Sequence, residues 1–264
     1  MAIDILMSNE KVSPARAVAA ASAISCAKLS KSFGGLHALR DVTFQIAPGE
    51  ILGILGPNGA GKTTFINVLS GMLHADSGTV HIYDDDVSAM SMAHRARYGL
   101  FRTFQNSRSS EELTGYELLR LASLTPNKTK SSKTYTPDEL LEIFGLKRFA
   151  GIILSDLPYG IQKMMNLAAV ALCRPKVLLL DEPFQGVAEA EIERLSKVIR
   201  HFASEGVAVG LVEHNVRSVM RLCNRVIVLD AGAMIFEGRG EDAVRDPVVQ
   251  TAYLGQRFAG ELNG

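Results

Sequence analysis

The chain has 264 residues, 47% of them hydrophobic, enough to bury the core of one sizeable α/β domain or of a domain with a small appendage. Lys plus Arg and Asp plus Glu stand at 28 each, so no basic face is implied, which argues against nucleic acid as the main partner. No stretch reaches the roughly 18–20 uninterrupted apolar residues of a bilayer span, and Cys26, Cys173 and Cys223 form neither a CxxC pair nor a metal-ligand spacing.

In chain order, residues 1–23 read as a flexible N-terminal extension. The small-residue run at 17–23 is alanine rather than leucine and follows Asp4, Glu10 and Lys11, unlike a secretory leader. Residues 24–29 and 42–46 read as short strands, with turns at Gly34-Gly35 and Pro48-Gly49. Residues 51–55 are wholly apolar, the mark of a strand covered on both faces, and a helical pattern follows over 62–73. Residues 107–156 read as a helical insert, with helical spacing at 118–121 and 140–146 on either side of the polar loop LTPNKTKSSKTYTP at 124–137. Apolar strands recur at 177–180, 207–212 and 226–229 with helical patterns between them. That alternation predicts a parallel sheet with helices on both faces.

Residues 56–63, GPNGAGKT, fit G-x-x-x-x-G-K-[ST] directly after a predicted buried strand and at the opening of a helix. Gly56, Gly59 and Gly61 let the backbone curl, so that successive N–H groups turn toward phosphate oxygens along the loop that carries Pro57, Asn58 and Ala60 and runs on into Thr63 and Thr64. Lys62 is placed to reach the β- and γ-phosphates and the Thr63 hydroxyl to ligate Mg²⁺. ATP and Mg²⁺ are therefore the expected cofactors. Asp181 and Glu182 end an apolar strand where open α/β sheets bind ligands. Asp181 is placed to hold Mg²⁺ through water, leaving Glu182 to polarise an attacking water. His214 leaves the next strand at the same edge, where an imidazole bonds the γ-phosphate or that water. Gln105, in FRTFQN, precedes the insert and is a candidate for contact with Mg²⁺ or the water.

The order of these pieces resembles the ATP-binding subunits of ABC transporters, over residues 24–254. The resemblance implies a P-loop NTPase (RecA-like) α/β fold with helices on both faces, a small antiparallel β subdomain and the short helical insert. It implies an ATPase domain over 24–256 and a tail over 257–264. Phe33 then falls where the family stacks an aromatic ring on adenine, Gln105 on the Q-loop, Glu182 on the catalytic glutamate and His214 on the switch histidine. LPYGIQ takes the place of the family signature, so that Pro158, Tyr159 and Gly160 would face the nucleotide held by an opposite subunit. The tyrosine before glycine, and the stretch DPVVQTAYLG, look like importers of branched-chain amino acids.

Read this way, the chain hydrolyses ATP at the cytoplasmic face of the inner membrane. Its expected partners are transmembrane permease subunits, a second ATPase subunit and a solute-binding protein. A soluble ABC protein and an ATP-sensing regulator with little turnover are the alternatives. Pro158, Ile161 and Ala188 depart from the family pattern, and the insert is shorter than usual for amino-acid importers. Because the departures fall on what the chain lends a partner, they favour a heterodimer.

Overall fold

The computed structural model describes residues 22–103, 112–124, 134–213 and 216–254. Strands β1 (Ile24–Phe33) and β2 (Leu36–Ile46) form an antiparallel hairpin through Gly34-Gly35. Strand β3 (Ile51–Leu55) is buried throughout and leads into helix α1 (Lys62–Ser70). Next come β4 (Ser77–Ile82), β5 (Asp85–Asp86), α2 (Met92–Arg97) and β6 (Leu100–Arg102). The insert contributes α3 (Gly115–Ser123) and α4 (Pro137–Ile143). The chain then alternates through α5 (Tyr159–Leu172), β7 (Val177–Asp181), α6 (Glu189–Ser204), β8 (Ala208–Val212), α7 (Val216–Leu222) and β9 (Arg225–Asp230). It closes with β10 (Ala233–Gly238), α8 (Gly240–Arg245) and α9 (Pro247–Leu254).

Among the described residues the strands form two sheets. One is antiparallel, in the order β2-β1-β4-β5; the other runs β10-β9-β3-β8-β7-β6, parallel except for the β9–β10 pair. Alternation along the parallel strands divides the core. Ile51, Leu55, Leu178, Leu180, Val209 and Leu211 pack with α5, α6 and the insert. Leu52, Ile54, Leu179 and Val212 face the other way, toward α1 and the antiparallel sheet. Helix α1 lies between the two sheets, and Phe65 meets Phe44 of β2 edge-on with ring centroids 5.1 Å apart. The fold is thus the α/β P-loop NTPase with an antiparallel subdomain that the family resemblance implies.

The boundaries differ in instructive ways. The hairpin is longer than its apolar runs because polar Ser32 and His37 pair across it, as do Phe33 and Leu36. The helix predicted over 62–73 stops at Ser70, where the Gly71 N–H returns to Val68 O. Strands β4, β6 and β10 escape the sequence reading. β6 is three residues long, and β10 opens on the apolar residues Ala233 to Phe236 yet is partly or fully exposed throughout. Cys26, Cys173 and Cys223 form no disulfide, and burial pushes the Cys26 thiol up to about 12. Among the described residues no helix is long and apolar enough to cross a membrane.

Phe65 is fully buried between the sheets. Phe65→Ala is expected to cost about 3–5 kcal/mol. Denaturant unfolding checks this; a loss under about 1 kcal/mol would mean the wedge is loosely packed.

Candidate active site

The loop from Gly56 to Gly61 joins the end of β3 to the start of α1, and Gly56, Gly59 and Gly61 all take left-handed backbone angles (φ 153°, 80° and 102°). At Gly61 a Cβ would lie 2.4 Å from Ala38 O, so the helix start is pressed against the hairpin and admits no side chain. No side chain caps α1 and no acid lies in its first turn. The insert helices differ. Thr114 with Glu117 and Thr136 with Glu139 form complete capping boxes on α3 and α4. The N–H groups at the start of α1 have no capping side chain, which fits an anionic ligand.

The Lys62 ammonium lies across the loop, donating to Gly56 O at 2.6 Å and Pro57 O at 2.9 Å. Burial pulls its pKa below the usual lysine value, while the Glu182 and Asp181 charges oppose that shift. Ala60 is buried, donating its N–H to Pro57 O and accepting from the Gly232 N–H. A groove of about 390 Å³ is lined by Asn58, Gly59, Ala60, Gly61, Lys62, Thr63 and Thr64, with Glu182 across from them. Phe33 lines the same groove from the end of β1 and is 47% exposed. A half-exposed ring beside a phosphate loop offers a stacking surface for a base.

Asp181 and Glu182 part company at the end of β7. Glu182 has a left-handed φ of 47° and is tied by its N–H to Val212 O at 2.9 Å. That conformation is strained for a non-glycine residue, and it is held from two sides. Lys163 of α5 donates to the carbonyls of Glu182, Pro183 and Gln185 at 3.2, 2.8 and 2.9 Å. The buried Glu213 carboxylate accepts the Phe184 N–H at 2.9 Å. Asp181, by contrast, forms an ion pair with Arg102, Nη2 to Oδ2 at 2.8 Å, and both side chains are largely buried. It lines a separate cavity of about 40 Å³ beside Lys163 and Asn166.

Arg102, Lys163 and Glu213 are not among the residues expected from the sequence. Arg102 was visible as a cation in a short apolar stretch, in FRTFQN; Lys163 and Glu213 carry no comparable signal.

Helix α5 begins at Tyr159 with Pro158 as its N-cap, so the proline's ring stands just outside the first turn. Pro158 O accepts the Ile161 and Gln162 N–H groups, and no side chain caps the helix. A Cβ on Gly160 would lie 2.3 Å from Glu191 Oε2, so glycine permits the close packing of α5 on the start of α6. Tyr159 is 39% exposed, its ring 4.7 Å from Lys163 Nζ. Ala188 is likewise an N-cap without a side-chain bond, at the start of α6. Gln105 and His214 lie outside the described residues.

A family profile described as ABC transporter matches residues 39–185, from the hairpin through the Asp181-Glu182 pair. The chain belongs to the ABC transporter ATP-binding subunits. It is 32% identical to the lipopolysaccharide export system ATP-binding protein LptB of Haemophilus influenzae, over 90% of this chain and 99% of that protein. It is 30% identical to LptB of Escherichia coli K12, over 89% of this chain and 98% of that one. A probable ABC transporter ATP-binding protein of Azorhizobium caulinodans is 33% identical over 87% of this chain and 82% of its own length. The ADP conformation of MJ1267, an ATP-binding cassette of an ABC transporter, superposes with a TM-score of 0.79 at 27% identity, over 89% of this chain and 99% of that one.

As an ABC ATPase the chain hydrolyses ATP with Mg²⁺ and works with transmembrane permease subunits. The expectation of a branched-chain amino-acid importer is overturned, because relatives at 30–32% identity are lipopolysaccharide export proteins. The physical reason is that its support lay in Tyr159 and a C-terminal stretch, on a subunit that does not handle the cargo. The solute-binding protein falls with it. The residues present fit the cofactors. Thr63 and Asp181 offer the hard oxygen donors Mg²⁺ prefers alongside phosphate, and the uncapped start of α1 suits an anion.

Lys62→Ala is expected to abolish tight ATP binding, since it removes the ammonium that spans the loop; a fluorescent ATP analogue reads this, and wild-type affinity would overturn the role. Phe33→Ala should weaken affinity by about 1–3 kcal/mol while leaving saturated turnover near normal.

Proposed function

We propose that this chain is the ATP-hydrolysing subunit of a transporter that exports an envelope lipid of the lipopolysaccharide class. The observation that supports its motor role is the presence of Glu182 in the same groove as Lys62, Thr63, Thr64 and Phe33. Glu182 polarises the attacking water, and the loop residues Gly56 to Thr64 hold the phosphates. Thr63 and Asp181 would hold Mg²⁺, which when bound would supply positive charge beside the phosphates. Gln105 and His214 keep the metal-side and γ-phosphate roles read from the sequence. The cargo class rests on relatives named as lipopolysaccharide export proteins. The subunit docks on its permease from the cytoplasmic face of the membrane, and residues 24–256 form its ATPase domain.

The chain works best beside a second, different ATPase subunit. Helices α5 and α6 begin at Pro158 and Ala188 with no capping side chain, so this subunit lends a partner backbone N–H groups without a hydroxyl. Its own phosphate loop and Glu182 are complete. One strong site, on this chain, and one weak site follow.

Glu182→Gln should still bind Mg-ATP while turnover falls by about 10²–10⁴-fold, as for loss of a general base. Loss of binding together with turnover would give Glu182 a different role. The cargo is tested by reconstituting the chain with its permease in liposomes. ATPase stimulation by lipopolysaccharide supports the reading, and stimulation by a small solute instead overturns it. In that complex Lys62→Ala here should damage transport far more than the equivalent change in the partner, whereas equal damage would point to equivalent sites.

A further inference from the structure

Arg102 ties together three parts of the site. Its Nη2 donates to Asp181 Oδ2 at 2.8 Å, and its Nη1 donates to Asn67 Oδ1 of α1 and to Ser70 Oγ at 3.4 Å. Its side chain is 6% exposed and that of Asp181 13%, so the pair is shielded from solvent screening. A carboxylate this deeply buried is costly without a counter-charge. The same carboxylate is the one assigned to Mg²⁺. A divalent ion with its water shell competes with the guanidinium for Asp181 oxygens, and the two cations repel each other across a poorly screened gap.

We propose that Arg102 is a built-in cation that holds Asp181 in place of the metal, and so sets how strongly Mg²⁺ tightens ATP binding. The ion pair keeps the Asp181 carboxylate oriented between turnovers. Metal binding must then weaken the pair, so part of the affinity for Mg²⁺ is given up to Arg102. Because Arg102 also grips Asn67, the metal's arrival is felt at α1 and at the end of β6 together. Arg102 is a positioning residue, acting on the metal through Asp181.

This rests on the assignment of Asp181 to the metal, and the test separates the two. The dissociation constant of a fluorescent, non-hydrolysable ATP analogue is measured for the full chain in excess Mg²⁺ and in EDTA, and the ratio gives the metal's coupling to nucleotide. R102M removes the charge, and R102Q removes it while keeping an amide donor for Asp181. In both the coupling ratio should rise by about threefold to tenfold, the scale on which an adjacent opposite charge acts on a carboxylate. R102K should stay near wild type. Damage to the fold would lower the ratio, so the expected change runs opposite to a merely structural effect. A ratio unchanged or reduced in R102Q overturns the role of Arg102. A wild-type ratio of one overturns instead the assignment of Asp181 to the metal.

Discussion

The burial of α1 between the two sheets fixes where the phosphate loop can stand, since Phe65, Ile66 and Leu69 are all enclosed and the helix has no room to slide. Its far end is held as firmly. Arg95 of α2 is 1% exposed and spends its guanidinium on carbonyls, donating to Val68 O and Leu69 O at 2.7 Å each, and to Ser88 O and Met90 O. Burial lowers its pKa to about 10, with Asp86 opposing, so it remains charged at neutral pH. A cation on the last carbonyls of a helix complements the negative end of its dipole. One terminus is thereby satisfied from within the fold, while the other is left for phosphate.

A similar division governs the segment after β7. Glu182 carries the backbone strain, and Lys163, Glu213 and the Val212 carbonyl hold it there. These three come from α5, from the residue after β8, and from β8 itself. The position of the Glu182 carboxylate therefore depends on α5 as well as on its own strand. Tyr159, stacked beside Lys163 at the first turn of α5, extends that dependence to the surface expected to meet a second subunit. Strain of this kind persists where surrounding contacts over-determine it.

What was legible in the sequence follows from where the physics is local. Strand β3 and the strands ending at Asp181 and Val212 are buried on both faces, so each stands out as an apolar run. The phosphate loop announces itself because its glycines answer backbone demands that other residues do not meet. Edge and short strands are set by tertiary pairing: β10 stands at the end of its sheet, where it pairs with β9. Arg95 and Arg102 read as ordinary charges in sequence, because what makes them matter is the distant carbonyls and carboxylate they reach, 26 to 79 residues away. The importer reading failed for a related reason. Tyr159 and the C-terminal stretch report on the subunit's own lineage and packing, and the cargo is handled elsewhere.

The contrast between capped and uncapped helices also bears on the lifetime of the folded chain. Helices α3 and α4 close their own first turns, whereas α1 and α5 begin without a side-chain acceptor. Nucleotide is expected to sit at the open starts of α1 and α5, so ATP would serve as a structural ligand as well as a fuel. A ligand that binds only the folded state at about a hundred times its dissociation constant adds about 2.7 kcal/mol to stability. In a cell rich in ATP the cassette is thus better protected from unfolding and proteolysis than the same chain in nucleotide-free buffer. Energy depletion would then expose the subunit to turnover as well as halting transport.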